Sequence, residues 1–219
     1  ARDYHVTATY SGTDDYLSNS TSTDFTVFRK ESDIKINVTS INVGQNETIK
    51  INVTSGATGI VLIDIAGIQV YARLNNSYVE VLFDDLGVGT YNVTATYMGD
   101  DKYFNSTTNA SFTVTKLDTS IIIKGSNITV VQTETFNITT SANITSVIFI
   151  EIDGTNYTSF IENGKGTFTV PFALAAKKYT VYVYLPENDR YNAVRNSTNI
   201  TVSAKKASAV TVNAASITV

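Results

Sequence analysis

The chain has no cysteine and no tryptophan, and only two prolines and one histidine among its 219 residues. Without cysteine there is no disulfide scaffold, no thiolate metal site and no cysteine nucleophile. His5 is the single imidazole, so a histidine-based triad and a zinc centre both lack their usual groups. Charge is also scarce, at 16% of residues, against about a quarter in ordinary soluble domains. A net charge of −4 with no basic cluster argues against a nucleic-acid footprint. No apolar run approaches the ~20 residues of a membrane span, and no signal peptide is present. There is no phosphate loop and no nucleophile elbow. Glu80, Glu134, Glu151 and Asp153 are scattered carboxylates without the cleft that paired-acid glycoside chemistry needs. These absences point away from an enzyme and from any resident cofactor.

What is abundant is threonine, with 33 residues, and asparagine, with 20. Both belong to an internal repeat. The segment YHVTATYSGTDDY begins at Tyr4, YNVTATYMGDDKY at Tyr91 and YTVYVYLPENDRY at Tyr179, spacings of 87 and 88 residues. A second segment keeps the same frame: SDIKINVTSINV from Ser32, TSIIIKGSNITV from Thr119 and SAVTVNAASITV from Ser208. Repeats on this scale mean stacked modules. Residues 29–115 and 116–203 are read as two complete modules. Residues 1–28 are read as the C-terminal strands of a preceding module, and 204–219 as the first strands of a following one.

Within a module the hydrophobic period is two. Ile34-Lys-Ile-Asn-Val38, Ile49-Lys-Ile-Asn-Val53 and Tyr91-Asn-Val-Thr-Ala-Thr-Tyr97 alternate apolar with polar. Strict alternation predicts half-buried antiparallel strands, and Thr, Val, Ile, Tyr and Phe suit a pleated surface. Turn signals separate the runs, among them Ala66-Gly67, Asn75-Asn76, Asp153-Gly154 and Asn163-Gly164. In the first complete module the strands are expected near 33–38, 48–53, 60–65, 68–73, 78–83, 90–97 and 109–115. Seven short strands in under 100 residues predict an all-β fold of two packed sheets. Tyr91 and Tyr97, with Tyr10, Tyr16 and Tyr103, are expected at sandwich corners, where a large ring needs a polar tip.

The stretch from Gly89 through Tyr91, Gly99, Asp100 and Tyr103 to Phe112-Thr-Val114 resembles the signature of bacterial-type immunoglobulin-like repeat domains. These are tandem modules of large cell-surface proteins, including adhesin-like proteins of methanogenic archaea. The second complete module departs from the pattern, with Lys178 before Tyr179 and Leu185-Pro186-Glu187 in place of the Gly-Asp turn. The resemblance covers essentially the whole chain. It implies tandem immunoglobulin-like β-sandwiches and an extracellular, cell-surface role as a stalk or adhesive module, not an enzyme. The intermodule segments 27–32 and 114–119 hold no Gly or Pro, so the modules are expected to form a stiff, extended rod.

The acceptor triplet Asn-x-Ser/Thr begins at Asn19, Asn37, Asn46, Asn52, Asn75, Asn92, Asn105, Asn109, Asn127, Asn137, Asn143, Asn156, Asn196 and Asn199, 14 of the 20 asparagines. Alternation turns several of them outward, where a covalent N-glycan has room. The plainer reading is that Asn and Thr are simply polar strand and turn residues. The acidic turns Asp14-Asp15, Asp84-Asp85, Asp100-Asp101 and Glu187-Asn-Asp189 offer hard oxygens that suit Ca²⁺, but without EF-hand spacing; ordinary turn chemistry explains them equally. Lys30, Lys116 and Lys205 recur at module heads, where an isopeptide crosslink would need a buried lysine and a linker would leave it exposed. His5 is read as a surface residue.

Three functions follow. The first is a structural stalk or fibre segment of a glycosylated adhesin-like protein, partnered by neighbouring modules of its own chain or by like subunits. The second is a carbohydrate- or cell-binding module whose partner is a cell-surface glycan, with Tyr71, Tyr78 and Phe104 as exposed aromatics. The third is a filament subunit assembled by terminal strand exchange.

Overall fold

The computed structural model describes residues 1–217, and every regular element in it is a strand. The chain divides into two compact units, Ala1–Lys116 and Leu117–Val219. Unit 1 opens with a hairpin of β1 (Arg2–Tyr10) and β2 (Asn19–Val27). Its sandwich follows as β3 (Ile34–Asn37), β4 (Ile41–Asn42), β5 (Glu47–Val53), β6 (Ile60–Ile65), β7 (Ile68–Arg73), β8 (Tyr78–Phe83), β9 (Gly89–Tyr97) and β10 (Ser106–Thr115). One sheet has the order β3-β5-β8 and the other β4-β10-β9-β6-β7. The alternating residues meet between them: Ile49, Ile51, Val61, Ile63, Val93 and Ala95 are fully buried. Seven strands lie where alternation and turns predict them. The eighth, β4, has two residues and is too short to carry a period.

Unit 2 repeats the plan as β11 (Ile121–Lys124), β12 (Ile128–Thr129), β13 (Thr135–Thr140), β14 (Ser146–Ile152), β15 (Thr155–Glu162), β16 (Lys165–Thr169), β17 (Lys178–Leu185) and β18 (Val194–Ser203). Here the two expected sheets are joined into one, in the order β11-β13-β16-β15-β14-β17-β18-β12. The joint is the pairing of Ile161 with Gly166 and Glu162 with Lys165. Asn163 and Gly164 both have positive φ, 50° and 76°, the geometry of a tight hairpin. Gly166 lets the two backbones close, since a Cβ there would lie 2.6 Å from the Phe160 carbonyl oxygen. In unit 1 the position is Val79; the equivalent turn, with Asn76 and Ser77 at φ 51° and 62°, is closed by the Asn75–Tyr78 pair at 2.8 and 3.0 Å, and β7 and β8 stay in separate sheets. Both corners are therefore hydrogen-bonded hairpins, and unit 2 differs by the further pair Ile161–Gly166.

In both units the first strand pairs on both sides of the core. β3 runs antiparallel to β5, and after a break β4 runs parallel to β10; β11 and β12 do the same with β13 and β18. The break is anchored twice. A buried carboxylate, Glu47 (2% exposed), accepts the Thr39 N–H at 2.7 Å, and Glu134 (5%) accepts the Ser126 N–H at 2.5 Å. On the other side Ser40 Oγ accepts the Thr113 N–H at 3.1 Å, and Asn127 Oδ1 accepts the Thr201 N–H at 2.7 Å. A break inside a strand frees backbone groups that must be paired when buried, and these side chains supply the partners.

The tyrosines divide by task. Tyr91 donates to the Gly87 carbonyl at 2.9 Å and Tyr179 to the Ala175 carbonyl at 3.1 Å, each back across the turn that enters its strand, as in a tyrosine corner. Tyr103 donates to the Ser55 carbonyl at 3.0 Å. Tyr97, expected at a corner, is instead fully buried. It lies on the inward face of β9, two residues beyond Ala95, and that phase carries the ring into the core.

The hairpin and the tail differ from the two sandwiches. β1 and β2 pair along their whole length, from Arg2–Val27 to Tyr10–Asn19, and Tyr4 stacks on Phe25 at 5.2 Å as Tyr91 stacks on Phe112 at 5.4 Å. Yet Val6, Tyr10, Phe25 and Val27 remain 44–49% exposed, whereas the matching Val93, Tyr97, Phe112 and Val114 are buried. Residues 204–217, expected to begin a further module, carry no strand, and 218–219 lie outside the described residues.

The paired carboxylates predict a measurable loss. Glu47→Ala leaves the Thr39 amide without its acceptor and should destabilise unit 1 by about 1–3 kcal/mol. Glu134→Ala should do the same to unit 2, with urea unfolding of each variant as the measurement.

Candidate functional site

All fourteen acceptor asparagines are exposed. Asn37 and Asn52 lie on the outer face of the three-stranded sheet, with Asn52 opposite Lys35 and Tyr78. Asn92 and Asn109 lie on the outer face of β9 and β10, paired with Ser111 and Thr94. Asn137 lies between Lys124 and Thr167. Asn46, Asn75, Asn105 and Asn143 occupy turns and connections. Some amides already have partners. Asn19 Oδ1 accepts the Ser20 N–H at 2.8 Å, and Asn199 Oδ1 accepts the Thr180 hydroxyl at 2.9 Å. Asn196 spends its nitrogen, donating from Nδ2 to the Ile121 carbonyl at 2.6 Å. In the triplet of Asn75 it is the hydroxyl that is occupied: Ser77 is 8% exposed and accepts the Gly56 N–H at 2.9 Å.

The acidic turns resolve into structural chemistry at one position. Asp100 sits in the β9–β10 turn and accepts four hydrogen bonds, from the Thr58 N–H (2.8 Å), the Thr58 hydroxyl (2.9 Å), the Lys102 N–H (2.7 Å) and the Tyr103 N–H (2.8 Å). Desolvation alone would raise its pKa. The four donors outweigh it and hold the carboxyl well below the usual range. The same charge acts on Tyr97: burial first, then Asp100, pushes its phenol up to about 12. Unit 2 has Asn188 at this position, and its Oδ1 accepts the Arg190 and Tyr191 amides, at 2.9 and 2.8 Å. Among the described residues no three side chains of His, Asp or Glu gather in a way that could hold a metal ion.

The module heads pair with the same turn. Lys30 N–H donates to the Lys102 carbonyl and Leu117 N–H to the Arg190 carbonyl, each at 2.8 Å. The structural counterpart of Lys30 is therefore Leu117, one residue on from Lys116. Lys30 is exposed, and the desolvated setting of a crosslinking lysine is missing there. His5 lies 2.6 Å from Asp24 on the polar face of the hairpin, both side chains well exposed.

Tyr71, Tyr78 and Phe104 sit on three different elements, β7, β8 and the β9–β10 turn. Aromatic residues gather elsewhere, on the outer face of unit 2. Strand register lines up Thr158, Phe149, Tyr184 and Arg195 in one row, and Asn156, Glu151, Tyr182 and Ser197 in the next. The Phe149 and Tyr184 rings lie 6.2 Å apart. Arg195 covers the Tyr182 ring at 4.3 Å and donates to Glu151 at 3.1 Å. These groups line an open depression of about 760 Å³. The rings come from β14 and β17, more than thirty residues apart in sequence, so no local motif marks them. The available signal was subtraction of the repeats: the matching residues of unit 1 are Leu62, Thr94 and Thr96.

No protein-family model and no curated protein matches the chain. Solved structures similar to it include fibronectin(III)-like modules of Clostridium thermocellum CbhA, 13% identical over 78% of this chain and 94% of that one, with a TM-score of 0.33. Another concerns host cell surface retention of a 1.5-MDa bacterial ice-binding adhesin, 14% identical over 81% and 66%, at 0.34. A third is the BSP domain of a biofilm associated protein, 14% identical over 80% and 30%, at 0.29. The chain thus spans 66% and 30% of the last two proteins' solved chains.

Asp100 yields a pH dependence of fixed sign. A carboxyl depressed in the folded state adds stability that is full above the unfolded value of ~3.9 and is lost as pH falls below it. Urea midpoints of unit 1 should therefore drop between pH 5 and pH 2. Asp100→Asn, with the residue unit 2 already uses, should lower the midpoint at pH 7 and flatten that drop.

Proposed function

We propose that the chain is a structural segment of an extracellular, adhesin-like surface protein built from repeated immunoglobulin-like sandwiches and decorated with N-glycans. One observation carries the reading: both sandwiches keep the same internal anchors, while all fourteen acceptor asparagines stay exposed. The duplicated parts are those that hold a module together, which is what a spacer needs. Each module adds a fixed length, and repetition carries a distal tip away from the envelope. Glycans on a chain with 16% charged residues supply solubility and shield strand edges that would otherwise pair with other chains.

The hairpin supports a second reading. Its apolar face matches residues that are buried in each sandwich, and exposing several such side chains forgoes about 1.5–3 kcal/mol each. Strands of a neighbouring module, in the same chain or in a like subunit, would cover it. In the second case the chain is a filament subunit joined by strand exchange.

Two measurements separate these readings. Intact mass of protein from its native source should exceed the sequence mass and fall on deglycosylation; a mass equal to the sequence refutes the glycan claim. Electron microscopy of the purified chain should show single particles if it is a spacer. Fibres would instead establish strand exchange.

A further inference from the structure

The aromatic face of unit 2 and the acceptor triplet at Asn156 occur together. Asn156 lines the same depression as Phe149, Tyr182, Tyr184, Glu151 and Arg195, and it is the cross-strand partner of Glu151, which is in turn opposite Tyr182. Unit 1 lacks both features at once. Its register is the same, with Leu62 opposite Tyr71 and Thr96, but the rings are replaced by Leu62, Thr94 and Thr96, and Gln69 stands where unit 2 has Asn156. Unit 1 keeps one ring in that row, Tyr71, at the position of Thr158. We propose that this face is the seat of the first sugars of an N-glycan carried on Asn156. The proposal rests on the glycosylation reading above and assigns one triplet a defined folded role.

The chemistry of the face suits a neutral pyranose. Such a ring has an apolar side of C–H groups and a fringe of hydroxyls. The negative faces of aromatic rings attract the C–H side, and Phe149 and Tyr184 are 43% and 39% exposed. Glu151 and Arg195 neutralise each other at 3.1 Å, so the site carries no net charge. Arg195 still has N–H donors and Glu151 lone pairs for the hydroxyls. Among the described residues the Asn156 side chain makes no hydrogen bond, unlike that of Asn196, whose nitrogen is held at 2.6 Å. In the transfer itself Asn156 Nδ2 bonds to the anomeric carbon of a sugar activated as a lipid-linked pyrophosphate. The bond from that carbon to the phosphate oxygen breaks, the pyrophosphate leaves with the electron pair, and the amide gives up one proton.

The test uses the whole chain made in a host with N-glycosylation machinery. Peptide mass spectrometry reads occupancy at each triplet. Thermal melts compare the glycosylated protein with the same protein after enzymatic deglycosylation. NMR reads the sugar protons. Asn156 should be occupied, its first sugars' C–H resonances should shift upfield under the rings, and loss of the glycan should lower the unit 2 melt by several degrees. Asn156→Gln should show the same fall with all other glycans in place. A triple variant, Phe149→Leu, Tyr182→Thr and Tyr184→Thr, takes the residues that unit 1 folds with; it should keep occupancy but lose both the upfield shift and the dependence of the melt on the glycan. Asn156 vacant while other triplets are filled overturns this proposal alone. So does an occupied Asn156 with unshifted resonances or an unchanged melt. Every triplet vacant overturns the glycosylation reading, and this one with it.

Discussion

Each sandwich depends on a first strand that pairs on both sides of the core. β3 and β4, like β11 and β12, are one chain segment that pairs antiparallel on one side of the core and parallel on the other. That crossing closes the core at its edge, but it also interrupts a strand and frees backbone groups that cannot stay unpaired where water is excluded. Glu47 and Glu134 meet this need from inside, while Ser40 and Asn127, in the break itself, accept the Thr113 and Thr201 amides of the strand opposite. A carboxylate is a costly thing to bury. Its presence at the same position in both modules marks the crossing as the point where ordinary apolar packing is insufficient.

Around this constraint the two units solve the same problem with different freedom. The tyrosine corner and the head-to-turn pairing of Lys30 and Leu117 are duplicated closely. The corner after β7 and β15 keeps its turn but not its ladder. In unit 2 the pairing runs on to Ile161–Gly166, and that unit becomes a single folded sheet. The turn after β9 and β17 also diverges, from a carboxylate with four donors to an amide with two. The outer sheet face diverges too, where Leu62, Thr94 and Thr96 of one unit stand in place of Phe149, Tyr182 and Tyr184 of the other. Outer positions carry little of the fold's stability, so they are free to acquire chemistry.

Strand positions, turn positions and the repeat frame were legible in the sequence because they are local. Alternation fixes which side chains share a face, and Gly or Asn at positive φ fixes where the chain turns. The outward phase of Asn37, Asn52, Asn92 and Asn137 follows from the same rule. Tertiary structure alone decided that Glu47 and Glu134 are buried anchors, since nothing near them in sequence announces the break they serve. It also placed Tyr97 in the core, made Lys30 the counterpart of Leu117, left 204–217 without a strand, and brought Phe149, Tyr184 and Arg195 into one row. Those outcomes depend on pairing between segments tens of residues apart. Composition and period describe one strand at a time; register between strands decides which side chains meet.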